Sequence, residues 1–385
     1  MSTIGSNTLA IRGIGLVTPL GCGVEEVWRQ LLEGNRATAE PVPAALVQPE
    51  GRVPYYYPVG LKPFDALGRI ARIRRSSAIS SFSVAAGLQA LGIADARAAA
   101  LPPERAGTTA VIFAICSGGV HYTRRFYEKI VAEGAQAASP LLFPETVYNA
   151  PASHLSALLG IDGASYTVVG DGTVGLSALA FARELLACQP ELEECVVVGA
   201  EECDWILWEG YNTWRLLSRE PRVELQAESH GNRGMILAEG GGALVVGRSR
   251  GEAGEITIPS LATGSYFSRR EAAAALEGVL ESFDLRDAAC VVGSANGTWV
   301  GQSEAAALDS TQARGAWEGN PSRYYPKVAL GDALGAGALW QVALAATALS
   351  QGELPGLPTF SGGRGAIVTA IGLNQQVAGA VLERQ

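Results

Sequence analysis

A strand, a glycine-rich turn and a helix follow one another in residues 165–176, and this order can present a catalytic residue. A β-branched run leads into Gly170, Asp171 and Gly172, and an apolar helix follows. The first amides of a helix are unpaired, and the helix dipole favours an anion such as a thiolate there. This turn contains neither cysteine nor histidine, and we expect Asp171 to accept a hydrogen bond from the free amides, with help from Thr173.

The turn resembles the nucleophile turn of the β-ketoacyl synthases of the thiolase fold, which reads approximately Thr-Ala-Cys-Ser-Ser-Gly. Placing the last glycine of that pattern on Gly175 places its cysteine on Gly172. The family's His-Gly-Thr-x-Thr segment is similar to residues 296–300, where Asn296 replaces the histidine. Its Lys-x-x-x-Gly-His-x-x-Gly-Ala segment is similar to residues 327–336, where Asp332 replaces the second histidine. The resemblance implies that all three catalytic positions are vacated.

Family-like segments occur in register along nearly the whole chain. Residues 13–21 are similar to the family's first strand and turn, Arg233 and Gly234 to its Arg-Asp-Gly element, and residues 238–243 to its Gly-Glu-Gly-Ala-Gly element. The resemblance implies an α/β, thiolase-like fold, in which duplicated βαβαβαββ halves give a five-layered αβαβα architecture. Residues 248–254 are charged and contain glycine, which is typical of a boundary. We therefore expect an N-terminal half over residues 1–250 and a C-terminal half over residues 251–385.

The hydrophobic pattern predicts an α/β protein without reference to any family. Short apolar, β-branched runs alternate with segments of helical spacing. The predicted strands are 109–116, 165–169, 194–200, 242–246, 255–262, 289–294, 365–371 and 377–382. The predicted helices are 76–91, 175–188, 270–283 and 333–349.

The condensation carried out by this family needs a cysteine that holds the acyl chain and two histidines that assist malonyl decarboxylation. Glycine has no nucleophilic atom, asparagine is not an imidazole base, and Asp332 would repel the negative charge of the malonyl group and the enolate. The chain has three histidines, and none matches a catalytic position. We expect His121, His154 and His230 to be structural residues.

Cys116 and Ser117 follow a predicted strand and offer a relocated nucleophile. The family's equivalent loop lies beside the catalytic cysteine, so both residues would lie near Asp171 and Asp332. Carboxylates without a cationic partner disfavour a thiolate. We therefore favour small residues that pack under a vacated pocket, and an acyltransferase or hydrolase with relocated groups stays the weaker alternative.

The resemblance implies a catalytically silent subunit, a chain length factor, that pairs with an active ketosynthase and shapes its acyl tunnel. Such a heterodimer would serve polyketide, fatty-acid-like or aryl polyene biosynthesis, and acyl carrier protein would engage the partner's mouth. The complex, not the chain alone, would be the enzyme, a β-ketoacyl synthase of the acyltransferase class. A homodimeric ligand-binding or scaffold pseudoenzyme is the alternative from another class.

The resemblance also assigns residues to the shared acyl tunnel and to the entrance of the subunit's own site. Counted back from Gly172, Leu142 matches a bulky position that reaches into the partner's acyl pocket. The other tunnel or interface positions are Thr146, one helical turn further on, and Val168 and Val169 in the strand that would meet the partner. The family's Gly-Phe-Gly-Gly gating loop corresponds to Gly372 followed by Leu373, Asn374 and Gln375.

The arm-binding threonine pair is incomplete. Only Thr298 remains of the two threonines that hold a phosphopantetheine arm in the family, with Val300 in the second place and Trp299 between them. Together with the changed gating loop, this implies that the subunit's own entrance is closed or rebuilt.

Composition limits the partners. A net charge of −9 and a pI near 5.1 argue against a nucleic-acid surface. We interpret the basic group Arg72, Arg74 and Arg75 as a solvated helix start or a carrier-protein contact in preference to a nucleic-acid site. The six cysteines are scattered singly, which predicts reduced thiols and no metal site, and we expect no cofactor.

No apolar run of about 18 residues and no signal pattern occur, so we expect no membrane span and a cytoplasmic protein.

Overall fold

The computed structural model describes residues 8–43, 53–60, 67–223, 225, 234–317, 319–357 and 364–385. The strands are β1 Leu9–Thr18, β2 Gly21–Cys22, β3 Glu40–Pro41, β4 Tyr55–Tyr57, β5 Thr109–Ile115, β6 Ser165–Val169, β7 Glu194–Glu201, β8 Leu237–Ala238, β9 Gly240–Arg248, β10 Ile256–Ser265, β11 Ala288–Val292, β12 Ser322–Tyr324, β13 Gly365–Ile371 and β14 Gln376–Arg384. The helices are α1 Val24–Leu32, α2 Ala78–Ala90, α3 Pro103–Ala106, α4 Val120–Glu133, α5 Ala150–Leu159, α6 Val174–Cys188, α7 Trp205–Thr213, α8 Ala272–Leu280, α9 Trp299–Ala313, α10 Lys327–Leu330 and α11 Leu334–Gln351.

The large sheet consists of two five-stranded groups with the same internal order. In the first group the order is β1-β9-β7-β5-β6, and in the second it is β10-β14-β13-β11-β12. In both groups the first two pairings are antiparallel and the last two are parallel. An antiparallel pairing of β1 with β10 joins the groups. This repeated order is the duplication that the resemblance implies.

Two helices lie between the strand groups, and the remaining long helices cover the outer faces. α6 and α11 contact each other and strands of both groups. α2 and α5 cover the first group on its outer side, while α8 and α9 cover the second. The result is the expected five-layered αβαβα arrangement. Every residue from Leu334 to Leu349 of α11 is buried, as a helix enclosed by two sheets requires.

The inner layer depends on close backbone approach between β7 and α11. A Cβ atom on Gly199 would lie 2.2 Å from the carbonyl oxygen of Gly335, and one on Gly335 would lie 2.5 Å from the carbonyl oxygen of Ala200. Only glycine fits at these two positions, so α11 can begin directly against the end of β7.

The predicted elements are present, with shifted ends. The strand predicted over 242–246 extends over Gly240–Arg248, and the helix predicted over 270–283 is Ala272–Leu280 after a short 3₁₀ turn. Several helices were not predicted from periodicity, including α4 and α9. In α4 only Val120 and Phe126 are buried, and the helix is largely polar, so no apolar run marks it in the sequence.

The connection between the two strand groups lies between Arg248 and Ile256. The expected boundary after residue 250 falls in this connection, and the division into 1–250 and 251–385 stays a prediction. Within the described part of the chain, no helix is both long and apolar enough to cross a membrane.

Candidate functional site

The carboxyl ends of strands from the parallel part of each strand group bring the candidate residues together. Residues 116–117 follow β5, residues 170–172 follow β6, residues 294–298 follow β11 and residues 327–332 follow β12. Loops at the carboxyl ends of parallel strands share one edge of a sheet and commonly form sites. Here the loops of both strand groups meet, because Asn296 after β11 contacts Asp332 after β12, and Lys327 faces Gly172 after β6.

Asn296, Lys327 and Asp332 form a closed polar cluster in the interior. The Asn296 Nδ2 donates to Asp332 Oδ2 at 2.7 Å, and Lys327 Nζ lies 2.9 Å from Asp332 Oδ1. The Asn296 Oδ1 accepts from the Thr298 amide at 3.1 Å and from Thr298 Oγ1 at 2.7 Å. The side chains of Lys327 and Asp332 are only 4% and 2% exposed. The charge of Asp332 is therefore neutralised within the protein, so the expected repulsion of an anionic substrate is offset by Lys327.

Gly172 is buried beside this cluster. A Cβ atom at this position would lie 3.7 Å from Lys327 Nζ, with no other heavy atom within 4 Å. Space for a side chain is thus present, but glycine supplies no nucleophilic atom. The structure brings together Gly172, Asn296 and Asp332, and their correspondence to the family's catalytic positions stays a prediction.

Contrary to expectation, Asp171 does not cap the first amides of α6 but bonds Thr173 in the turn before the helix, and it makes a further bond that the sequence did not reveal. Its Oδ1 accepts from the Thr173 amide and from Thr173 Oγ1, each at 3.3 Å, while α6 itself begins after Thr173. Its Oδ2 accepts from the Asn374 amide at 2.7 Å, across 203 residues of sequence. Burial raises the pKa of Asp171, and these amides and Lys327 act in the opposite direction.

Cys116 and Ser117 lie in a partly exposed loop with carboxylates around them. Burial, and then the charges of Glu201, Asp171 and Asp332, raise the pKa of the Cys116 thiol. Ser117 Oγ donates to Oε1 of Glu201, whose Oε2 accepts from the Gly335 amide at 3.1 Å. Burial raises the pKa of Glu201 to about 7. A thiol in this setting is disfavoured as a nucleophile, and Glu201 is a site residue that sequence reasoning missed.

The signal for Glu201 was present in the sequence. Two adjacent glutamates, Glu201 at the end of β7 and Glu202 directly after it, follow the apolar residues 195–200, which is unusual for the interior. Glu202 accepts from the amides of Ile79 and His121, each at 3.1 Å, and burial raises its pKa to about 7. Glu201 therefore holds an amide in the first turn of α11, and Glu202 holds amides in the first turns of α2 and α4.

Two of the histidines lie in structural contacts. His154 Nε2 lies 2.5 Å from Glu145 Oε1, and Glu145 also accepts from the Ser77 amide at 3.0 Å. His121 is in the first turn of α4, and its Nδ1 lies 3.2 Å from Asp204 Oδ2. The hydrogen bond to Asp204 raises the pKa of His121. His230 and Arg233 lie outside the described residues.

The strand expected to meet a partner is at the edge of the sheet. Within the described residues β6 pairs only with β5, and its outer edge is free. Val168 is half-buried against the core, while Val169 is 53% exposed. Leu142 is half-buried, whereas its neighbours Leu141 and Phe143 are 75% and 55% exposed. Thr146 is half-buried, and its Oγ1 donates to the carbonyl of Phe143 at 2.8 Å.

The gating-loop equivalents form the turn between β13 and β14. Leu373 packs against a buried cluster that includes Trp299, while Asn374 and Gln375 are exposed. Gln375 has a φ of 65°, a left-handed conformation that favours glycine. Thr298 is buried and caps α9, since its Oγ1 accepts from the Val300 amide at 3.3 Å. The one threonine left for an arm is thus engaged within the chain.

The basic group near residue 72 is exposed and precedes a helix. Arg74 and Arg75 lie in a 3₁₀ turn that ends just before α2, and Arg72 lies immediately before that turn. This position agrees with a solvated helix start.

Comparisons with known proteins relate the whole chain to one family. Residues 6–251, more than half of the chain, match the N-terminal domain of the β-ketoacyl synthases. A 3-oxoacyl-[acyl-carrier-protein] synthase 2 of Vibrio harveyi is 26% identical over 245 residues, which cover 62% of this chain and 57% of that protein. The match thus spans little more than half the length of this relative. The "Putative polyketide beta-ketoacyl synthase 2" of Streptomyces coelicolor is 27% identical over 377 residues, covering 92% of this chain and 86% of that protein.

Solved structures share the fold. The structure described as the ishigamide ketosynthase/chain length factor has a TM-score of 0.75 and 22% identity, covering 98% of this chain and 99% of that chain. The thiolase-like fold is confirmed. The relatives' names are those of β-ketoacyl synthases, so this class, and not the broader acyltransferase class expected from sequence, is the one that the comparisons support.

Proposed function

This chain belongs to the β-ketoacyl synthase family, and we propose that it is a non-catalytic member, a chain length factor. In this role it pairs with an active ketosynthase and shapes the partner's acyl tunnel in polyketide, fatty-acid-like or aryl polyene biosynthesis. Acyl carrier protein then engages the complex through the partner's mouth.

The observation that carries the proposal is the closed cluster at the vacated positions. Asp332 is bound by Asn296 at 2.7 Å and by Lys327 at 2.9 Å, and Asn296 is bound in turn by Thr298. Each polar group that replaces a catalytic one therefore has its partner within the chain. Neither Asn296 nor Asp332 supplies an imidazole, and the charge of Asp332 is engaged by Lys327, so the cluster offers neither the thiol nor the imidazole bases that the family's condensation needs.

The exposed apolar surface around β6 supports a partner subunit. Exposed apolar side chains lie on β6, on the segment before α5 and on α4. They are Tyr127, Val131, Leu141, Phe143, Val147, Tyr148, Tyr166 and Val169. A free edge strand beside such a surface is prone to pair with another chain. A heterodimer across β6 would cover the edge and place the segment that contains Leu142 against the partner.

The two alternatives have weaker support. Relocated chemistry at Cys116 or Ser117 is opposed by the raised thiol pKa and by the bond from Ser117 to Glu201. A homodimeric ligand-binding pseudoenzyme would need an accessible pocket, but Gly172, Asn296 and Asp332 are all buried.

Co-expression with ketosynthases encoded nearby tests the proposal. We expect the tagged chain to co-purify with one ketosynthase and to shift its product distribution. Val169→Lys, which puts a charge on the free edge, should abolish co-purification. Leu32→Lys on α1 is the matched control, because it adds the same charge at another exposed apolar side chain, and it should leave the complex intact. A stable homodimer that recruits no ketosynthase would favour the ligand-binding alternative.

A further inference from the structure

Asp171 joins two parts of the chain that meet beside Gly172. On one side its carboxylate accepts from the amide and the hydroxyl of Thr173 at the start of α6. On the other side it accepts from the Asn374 amide at 2.7 Å, in the loop between β13 and β14. Asp171 is only 4% exposed, so this bond is shielded from water, which strengthens it.

The loop is shaped to receive this carboxylate. A Cβ atom on Gly372 would lie 2.1 Å from both carboxylate oxygens of Asp171, so only glycine permits the approach. The far side of the loop is held as well. Tyr266 donates its hydroxyl to the Gly372 carbonyl at 2.5 Å, and Gln375 Nε2 donates to the Phe267 carbonyl at 2.8 Å.

These bonds outweigh an unfavourable conformation. Gln375 adopts a φ of 65°, which costs a residue with a side chain about 1 kcal/mol or more. The Gln375 carbonyl accepts from the Tyr266 amide at 3.0 Å, which fixes the residue in that conformation. Beneath the loop, Leu373 packs in the same buried cluster as Tyr266 and Trp299.

We propose that Asp171 is a latch that fixes the loop of residues 372–375 across the approach to Gly172. The closed loop keeps a thiol-bearing arm or a small ligand away from the cluster of Gly172, Lys327 and Asp332. This inference concerns the entrance to the chain's own site and does not require that the chain pairs with a ketosynthase. The latch and the proposed heterodimer can therefore fail independently.

A cysteine placed at position 172 reports on the latch. Gly172→Cys fits the space, because its Cβ would lie 3.7 Å from Lys327 Nζ and near no other atom. The purified full chain, in whatever assembly it forms, is treated with iodoacetamide, and alkylation of each cysteine is followed by peptide mass spectrometry. We expect Cys188, which is exposed, to react quickly and the introduced thiol to react slowly.

Two further substitutions separate the latch from the charge of Asp171. Asp171→Asn removes the charge but keeps an oxygen that can accept from the Asn374 amide, whereas Asp171→Ala removes both. In the Gly172→Cys background, Asp171→Ala should raise the alkylation rate about ten- to a hundredfold above Asp171→Asn, the effect of losing a hydrogen bond to a buried acceptor. Equal rates in the two variants, or fast alkylation with Asp171 intact, would overturn the latch.

Global unfolding is recognised within the same experiment. Cys195 and Cys290 are buried, and they stay unreacted when only the loop opens. If Asp171→Ala also makes Cys195 and Cys290 reactive, the latch is tested instead by hydrogen exchange of the chain without substitutions. The Asn374 amide should exchange slowly although its side chain is exposed, and exchange at the rate of an unprotected amide would refute the proposal.

Discussion

Removing the ammonium of Lys327 should destabilise the chain far more than a surface lysine does. Lys327→Met keeps the length and packing of the side chain but leaves Asp332, 2% exposed, with a single donor, Asn296. Breaking a buried ion pair on one side costs about 3–5 kcal/mol, because a charge stays in the interior without its partner. We expect a loss of this size in the free energy of unfolding.

The ion pair itself is isolated by a double-mutant cycle. Asp332→Asn keeps an oxygen that can accept from Asn296 Nδ2, and alone it leaves the Lys327 ammonium without its carboxylate. The double variant Lys327→Met with Asp332→Asn buries no charge at either position, and we expect it to be more stable than either single variant.

Urea unfolding at pH 7 and at one fixed chain concentration gives the free energies, since association would otherwise shift them. Lys129→Met on α4 is the matched control, because Lys129 is exposed and the chemical change is identical. It should change the free energy by less than about 0.5 kcal/mol. Additive losses in the double variant, or a loss for Lys327→Met as small as that of the control, would refute the assigned ion pair.

Three other predictions follow from the site and the interface. The isolated chain should form no acyl adduct by mass spectrometry after incubation with acyl donors, and Gly172→Cys alone should not restore condensation. In a reconstituted pair, Leu142→Ala should lengthen the products by one or more extension units and Leu142→Trp should shorten them, as read by chromatography of the products. Stability should fall as the pH rises from about 5 to 8, because folding raises the pKa of Glu201 and Glu202 to about 7 and so favours their protonated forms.

Each of these has an outcome that contradicts it. A stoichiometric adduct on Cys116 or Ser117 would favour relocated chemistry. A length change from Leu141→Ala but not from Leu142→Ala would show that the exposed neighbour is the residue that reaches the partner. A pH slope unchanged by Glu201→Gln would mean that Glu201 does not titrate in this range, since its raised pKa contributes stability only while the group is protonated.

The positions of most strands were predictable because they depend on local signals. The buried strands β5 and β7 contain short apolar runs rich in valine and isoleucine, and such runs are recognised without any knowledge of their neighbours. α4 escaped prediction because most of its surface faces away from the core.

Motifs singled out Gly172, Asn296 and Asp332 as candidate positions, but they did not indicate the contacts of these residues. Asp332 and Lys327 are five residues apart, yet their pairing depends on the turn of α10 between them and on burial from both strand groups. The bond from Asn374 to Asp171 spans 203 residues, and nothing local to either residue indicates it. Contacts of this kind depend on how the layers are stacked, so they follow only from the tertiary structure.

In the proposed non-catalytic role, Asn296 and Asp332 are coupled, which makes a change at either position unfavourable. Asp332→His would leave the buried Lys327 ammonium without its carboxylate at 2.9 Å, and it would remove the acceptor of Asn296 at 2.7 Å. Asn296→His would lose the bonds that hold Thr298 and Asp332 at once. Gly172→Cys fits sterically, but in this role the thiol would have no histidine to assist it. Because the changes at Asn296 and Asp332 lose buried polar contacts and no single change supplies a thiol and two imidazoles, we expect each single variant to be inactive in condensation.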